Sequence, residues 1–386
     1  MKKIALMGLA TIVSTTAMAD VKFYGTLKGD FVNSEKMTND AQPVFVTEKG
    51  TGYSDFDKTA HKTMSFRETL IGANFSNGSK LNGTLEIDFN GEDENTASVN
   101  RSNSGVMRFR QAFLTYAVSD KGTVNFGKKW AAFQGVNPHT MSNNLYGFYQ
   151  GNTGFISDIL NYVHDFGALD LTVELGASDT GTGNGTSANS AKTNKVSNPS
   201  QTVRLDYKLD NHHFGIAHTI AEKNTKDALG TSDNISIQAS KFFYQGNFDQ
   251  TEVRAEYAMG KNAAGHGWLT KNQANGFGSV ASGGDDIEET AMWLSANHDF
   301  GAWNLFARYG VAEITNAKDV VKETASADRI SKNAATALGA SFDVDENVQT
   351  FIEYTMVTTD RITTIGAKDT ESDAGSVINL GMQYTF

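Results

Sequence analysis

Alternation with a period of two residues, repeated from Val21 to the last residue, constrains this chain more than any other feature. Within Leu81 to Asn90, Leu81, Leu85, Ile87 and Phe89 share one face, and Asn82, Thr84, Glu86, Asp88 and Asn90 share the other. Leu169, Leu171, Val173 and Leu175 oppose Asp170, Thr172 and Glu174 in the same way, and Val203, Leu205, Tyr207 and Leu209 oppose Arg204, Asp206 and Lys208. Successive side chains of a strand point to opposite faces, so each segment reads as a strand with one apolar and one polar side. A soluble β-sandwich has such strands too. Three features argue against one. The connections alternate between short turns and long polar loops, and the polar face repeatedly carries full charges of both signs. Aromatics also crowd the strand ends beside the short turns, at Phe75, Tyr116, Phe126, Tyr162, Tyr207, Phe214, Phe300 and Trp303. Together these predict an all-β fold, a transmembrane antiparallel up-and-down β-barrel with a wet interior, short periplasmic turns and long extracellular loops.

Sixteen such segments are predicted, at 21–32, 62–75, 81–90, 106–118, 123–130, 157–165, 169–177, 201–209, 213–221, 234–244, 248–259, 289–299, 303–311, 334–343, 348–357 and 376–386. An even count near sixteen places both chain ends on the periplasmic side and leaves an aqueous channel. One turn occurs twice: His164-Asp165-Phe166-Gly167-Ala168-Leu169-Asp170-Leu171 returns as His298-Asp299-Phe300-Gly301-Ala302-Trp303-Asn304-Leu305. Pro43, Pro138 and Pro199 are all expected in loops, because a closed barrel offers no edge strand to tolerate a missing N–H.

The ends add a compartment. Lys2 and Lys3, the apolar stretch from Ile4 to Val13, and Ala17-Met18-Ala19 have the order of a secretory signal peptide, expected at 1–19. The stretch is too short for a spanning helix. Residues 20–386 then form a single barrel domain. A mean hydropathy of −0.37 does not oppose this, since only every second strand residue meets lipid. The net charge of −11 argues against nucleic acid as a partner, and the absence of cysteine excludes disulfides and thiolate metal sites. No metal or cofactor is expected: the histidines lack H-E-x-x-H spacing, and Gly181-x-Gly183-x-Gly185 has no strand-to-helix context.

Several segments together resemble the general trimeric porins of Gram-negative bacteria, and within them the DcaP-like porins. They are Arg67 to Phe75, Gly83 to Phe89, Met107 to Leu114 and Val124 to Trp130. The final strand, with Ile378, Leu380, Met382, Tyr384 and Phe386 on one face, resembles the C-terminal signal read by the barrel assembly machinery, with Tyr384 and Phe386 as its core. The resemblance implies an outer-membrane homotrimer in contact with lipid and lipopolysaccharide, passing small hydrophilic solutes through sixteen strands. It also implies a third long loop, here 131–154, folded into the lumen; unlike many porin loops, this one has no acidic residue.

A pore selects by its diameter and by the charges at its narrowest part. With apolar positions facing lipid, the basic lining is predicted as Lys28, Arg108, Arg110, Lys129, Arg204, Arg254 and Arg308. The acidic lining is Asp30, Glu86, Asp88, Glu174, Asp206, Glu252, Glu256 and Glu353. Arg108 and Arg110 are two apart, so they would stack on one face about 7 Å apart. They are read either as a ladder that draws anions or small carboxylates, or as charges neutralised by Glu86 and Asp88. On the loop, Phe133, His139, Tyr146, Phe148 and Tyr149 either form an aromatic slide or pack the loop onto the wall. The runs Glu92-Asp93-Glu94 and Asp285 to Glu289 are expected on outer loops, solvated or binding divalent cations. His218 shares a face with Phe214, Ile216 and Ile220, opposite Gly215, Ala217, Thr219 and Ala221, and its direction is left open. Two rival functions accompany the pore: a barrel lipase or protease, for which His218 is the main candidate base, and a plugged structural or adhesive barrel.

Overall fold

The computed structural model describes residues 20–37, 46, 61–76, 78, 80–91, 106–141, 147–154, 156–176, 196–226, 232–263, 286–317, 329–362 and 370–386. The expected signal peptide, Pro43, Tyr146, Glu92 to Glu94, Asp285 and the Gly181 to Gly185 run lie outside them. In chain order the strands begin with β1 (Asp20–Glu35), β2 (His61–Ser65), β3 (Leu70–Ser76), β4 (Leu81–Gly91), β5 (Val106–Ala117) and β6 (Gly122–Trp130). Then come β7 (Ile156–Asp165), β8 (Leu169–Gly176), β9 (Val196–Leu209), β10 (His212–Lys226), β11 (Ser232–Phe248) and β12 (Thr251–Lys261). The last five are β13 (Glu288–Asp299), β14 (Trp303–Ile314), β15 (Arg329–Asp343), β16 (Val348–Ile362) and β17 (Thr370–Thr385).

Apart from β2 and β3, which follow one another along β1, each strand pairs antiparallel with its sequence neighbours, and β1 pairs with β17 to close the sheet. The seam ends on reciprocal hydrogen bonds of 3.0 Å between Gly25 and Phe386. β2 and β3 both pair with β1 and make one barrel strand, so the barrel has sixteen. The expected continuous strand 62–75 is thus broken. Asp30 pairs with Ser65 but Thr26 with Leu70, so β2–β3 carries one residue more than β1 over this stretch, as at a β-bulge. Thr69 fills the gap in the ladder: its Oγ1 accepts from Lys28 N at 3.1 Å and donates to Lys28 O at 3.2 Å.

The sequence-predicted faces hold for most of the wall. Phe126, Leu160, Val173, Leu205, Ile216, Leu294 and Met382 are exposed on the outside, whereas Glu86, Glu174, Asp206, Glu256 and Glu353 are buried on the inside. The two copies of the repeated turn fold alike. Gly167 and Gly301 take φ of 95° and 89°, and each N–H caps the Asp two residues before it, at 2.5 and 2.6 Å.

Three expectations need correction. Pro199 lies in β9 and not in a loop; the β9–β10 register shifts beside it, between Ile220/Gln201 and Glu222/Asn198, which is where a sheet tolerates a residue without an N–H. The run Asp285 to Glu289 is not all outer loop, because β13 starts at Glu288 and Glu289 is buried. Apolar residues also do not all face lipid: Phe243, Phe306 and Phe351 are buried inside. Each inward ring lies over a glycine of the neighbouring strand, at Gly215, Gly339 and Gly381, where a Cβ would overlap the ring. Gly339→Ala therefore has to displace Phe306, and is expected to cost about 1–3 kcal/mol in urea unfolding of the refolded barrel.

Candidate functional site: the lumen and its inward segment

The segment after β6 begins against inward-facing charges. Glu174 on β8 accepts from Ala132 N at 2.8 Å and from Asn161 at 3.0 Å. Arg204 on β9 donates to the carbonyls of Ala132 and Gln134, and grips Asp206 with two bonds of 2.7 Å. Arg254 on β12 donates to Asn137 O at 3.0 Å and to Glu252 at 2.7 Å. Farther along, Glu353 on β16 accepts from Thr140 Oγ1 and from Met141 N at 2.7 Å, while Lys28 Nζ on β1 donates to Met141 O at 2.7 Å. The chain thus crosses from β6 to the far wall. Returning, Tyr149 O accepts from Asn333 on β15 at 2.9 Å, and Thr153 donates to Glu256 on β12 through N and Oγ1. The outgoing and returning arms are tied together through Asn137, which accepts from Asn152 at 3.0 Å.

Packing supplies the remaining hold. Phe133, Phe148 and Tyr149 are buried on a floor of inward alanines, among them Ala217, Ala239, Ala258, Ala291 and Ala312. Small wall residues leave room for the segment, and its aromatics fill that room. Gly151 shows how close the approach is. At φ 107° it lies where a Cβ would overlap the carbonyl of Met292 in the wall.

His139 sits between Ser295 and Glu252. Ser295 Oγ accepts His139 N–H at 3.2 Å and lies 3.1 Å from Nδ1, while Nε2 lies 2.7 Å from Glu252. This network assigns the proton of a neutral ring to Nε2, donated to the carboxylate, with Ser295 donating to Nδ1. Burial, reinforced by Arg254, holds the imidazole below the ordinary histidine value against the opposing pull of Glu252. A histidine lowered in the seated state gives its full contribution above about pH 6.5, and that contribution is lost as pH falls from there toward the lowered value. Open-channel noise should therefore rise on acidification below about pH 6.5, and His139→Gln should remove that component. An identical acid response in the variant would contradict this.

The wall beyond the anchors carries a different cluster. Arg108 on β5 donates to Asp88 on β4 with bonds of 2.7 and 2.9 Å. Arg110 pairs with Glu86 and stands 5.3 Å from the Trp130 ring centroid. The two arginines do not stack as a regular ladder. Glu86 pairs with Gln111 and Ile87 with Phe109, so Arg110 is the extra residue of a bulge. Nor are they unopposed, since Glu86 and Asp88 neutralise them. Arg108 is the more open, its side chain 44% exposed against 13% for Arg110. Lys129 on the neighbouring β6 has its Nζ 3.3 Å from Asn125 and over the Phe113 ring. Tyr24 crosses Gly72 to donate to Glu86 at 3.1 Å.

The other predicted lining residues are buried. Asp30 lies 3.9 Å from Lys28, and Arg308 lies 3.8 Å from Glu353. Lys241 was missed. It lies beside Phe242 and Phe243 in sequence, yet alternation turns it inward, where it bonds Glu256 at 2.9 Å and Thr153 O at 2.5 Å. Glu68, which pairs with Lys28, was also missed, because the bulge before β3 moves it out of the strand pattern. His218 faces outward and its Nδ1 lies 2.8 Å from Ser240 Oγ. Among the described residues Ser240 Oγ is the hydrogen-bond partner of its imidazole.

A closed sixteen-stranded barrel with an apolar outer face and a charged interior is an outer-membrane channel. The chain belongs to the family of Gram-negative porins, whose pattern it matches over residues 5–385. Its place is the outer membrane, where it forms a water-filled channel for passive diffusion of small hydrophilic solutes. No curated protein matches the sequence. Among solved structures it is similar to the outer membrane channel DcaP of Acinetobacter baumannii, with a TM-score of 0.75, 17% identity, and coverage of 95% of this chain and 97% of that one. An anion-selective porin from Comamonas acidovorans gives 0.61 at 12% identity, covering 95% and 100%. OprB of Pseudomonas putida gives 0.57 at 12% identity, covering 99% and 97%.

Proposed function

We propose that this porin is a non-catalytic, weakly anion-preferring pore, narrowed by residues 131–154 and assembled as a homotrimer. One observation carries the preference: where the wall acids are spent. Glu174, Glu252, Glu256 and Glu353 accept hydrogen bonds from the inward segment, which brings no acid of its own. On the wall of β4–β6, Arg108 and Arg110 pair with Asp88 and Glu86, and Lys129 beside Asn125 adds a third base, so these three strands line the lumen with three bases against two acids. A unit charge about 4 Å from an ion in water is worth about 1 kcal/mol, which enriches an anion beside it by a factor of about five. Small carboxylates suit this wall because a guanidinium donates to both oxygens at once. The reversal potential of the channel in a potassium chloride gradient is the test. It is expected to show modest anion selectivity, and clear cation selectivity overturns the proposal.

A further inference from the structure

Two residues of the first extracellular connection, Met37 and Val46, also lie against the inner wall. Met37 and Val46, each 1% exposed, pair through an isolated β-bridge and are buried with Val32, Ala335, Val357 and Val377, all on the inner wall. Val46 is pinned at both backbone atoms. Its N–H donates to Thr359 Oγ1 at 3.0 Å, and its carbonyl accepts from Arg361.

The pins continue inward. Thr359 Oγ1 donates to Asn333 Oδ1 at 2.8 Å, and Asn333 Nδ2 donates to Tyr149 O at 2.9 Å. Thr359 and Asn333 are both fully buried, on β16 and β15, and they are paired across the ladder. One buried chain of hydrogen bonds therefore runs from Val46 through two wall side chains to Tyr149 in the returning arm of 131–154. The chain has a fixed direction. Thr359 accepts from Val46 and so must spend its single proton on Asn333, which fixes the Asn333 amide with its NH2 toward Tyr149. Burial makes each link costly to break, because the partner left behind has no water to replace it.

We infer that Thr359 and Asn333 are positioning residues that couple the first extracellular connection to segment 131–154, so that displacing Val46 loosens the seat of Tyr149. The conductance readout rests on 131–154 being the narrowing. The backbone coupling stands apart from that reading.

Hydrogen exchange with mass spectrometry on the full refolded barrel tests the coupling. Val46→Asp puts a charge into the apolar cluster and is expected to lift residue 46 from the wall. Exchange at residues 147–154 should then rise several-fold over the parent. Thr359→Val, which removes the hydroxyl without changing the shape, should raise exchange at both ends, and Thr359→Ser should restore the parent pattern. In planar bilayers Thr359→Val should also show greater open-channel noise, again absent in Thr359→Ser. Unfolding by urea distinguishes a lost fold from a lost link, since all three variants should keep the barrel transition. Exchange at 147–154 unchanged in both Val46→Asp and Thr359→Val, with the barrel intact, would overturn the inference. Altered exchange with unaltered noise would leave the coupling standing and would instead contradict the assignment of 131–154 as the narrowing.

Discussion

Replacing Arg108 and Arg110 together by alanine is expected to reverse the proposed weak anion preference to a cation preference of similar size. The sign should reverse because the variant removes two guanidinium groups and leaves behind the two carboxylates that they neutralise, Glu86 and Asp88. The local balance then moves from one positive charge in excess to one negative, with Lys129 alone opposing two acids. Arg108→Ala by itself should lose most of the anion bias, since its side chain is the more open of the two. Arg110→Ala should disturb packing as well, because Arg110 lies in a bulge against Trp130. Conversely, replacing Glu86 and Asp88 by their amides should strengthen the anion preference. Reversal potentials measured at low ionic strength give the largest signal, because salt screens charges that face water. Unchanged selectivity in the double arginine variant would show that the narrowest section lies elsewhere.

The second large effect concerns stability. Lys241 and Glu256 form an ion pair with both side chains fully buried, under the returning arm of 131–154. Lys241→Met leaves the Glu256 carboxylate without its counter-charge in a place closed to water, which costs about 3–5 kcal/mol. Glu256 also holds Thr153 through two hydrogen bonds, so the lost energy is expected to appear first as loosening of that arm. Urea unfolding of the refolded protein should register the loss, and single-channel recordings should show higher conductance and noise. Lys241→Met combined with Glu256→Gln should recover most of both, since glutamine still accepts from Thr153 while carrying no charge. A single variant that unfolds and conducts like the parent would contradict this role of the buried pair as an anchor.

Much of the fold was legible because a barrel wall repeats one simple rule. Residues such as Glu86, Val173, Leu205 and Glu353 declared their faces by alternation, and the repeated turn at Asp165 and Asp299 declared its shape through an aspartate placed before a glycine. The rule failed wherever one residue was inserted. The bulges at Phe66 to Thr69 and at Arg110 shift the pattern, which hid Glu68 and made two arginines look like a ladder. It also failed where the interior is not wet. Phe243, Phe306 and Phe351 look lipid-facing until the glycine opposite each is paired with it, and that pairing depends on register between strands. Five inward alanines spread over five strands form the floor beneath Phe133, Phe148 and Tyr149, and no single stretch of sequence shows that they meet. The charge reading suffered most from this. Wall acids and bases were legible as inward, but their partners in 131–154 are long-range contacts, and these decide which charges remain for a passing ion.

The most direct test of the central claim is the conductance of purified, refolded protein in planar lipid bilayers. An open porin with a charged wall and a seated inward segment should give large, ohmic steps that scale with the conductivity of the bathing salt, in groups of three for a trimer. Intact barrels that insert but carry no current would contradict the channel itself.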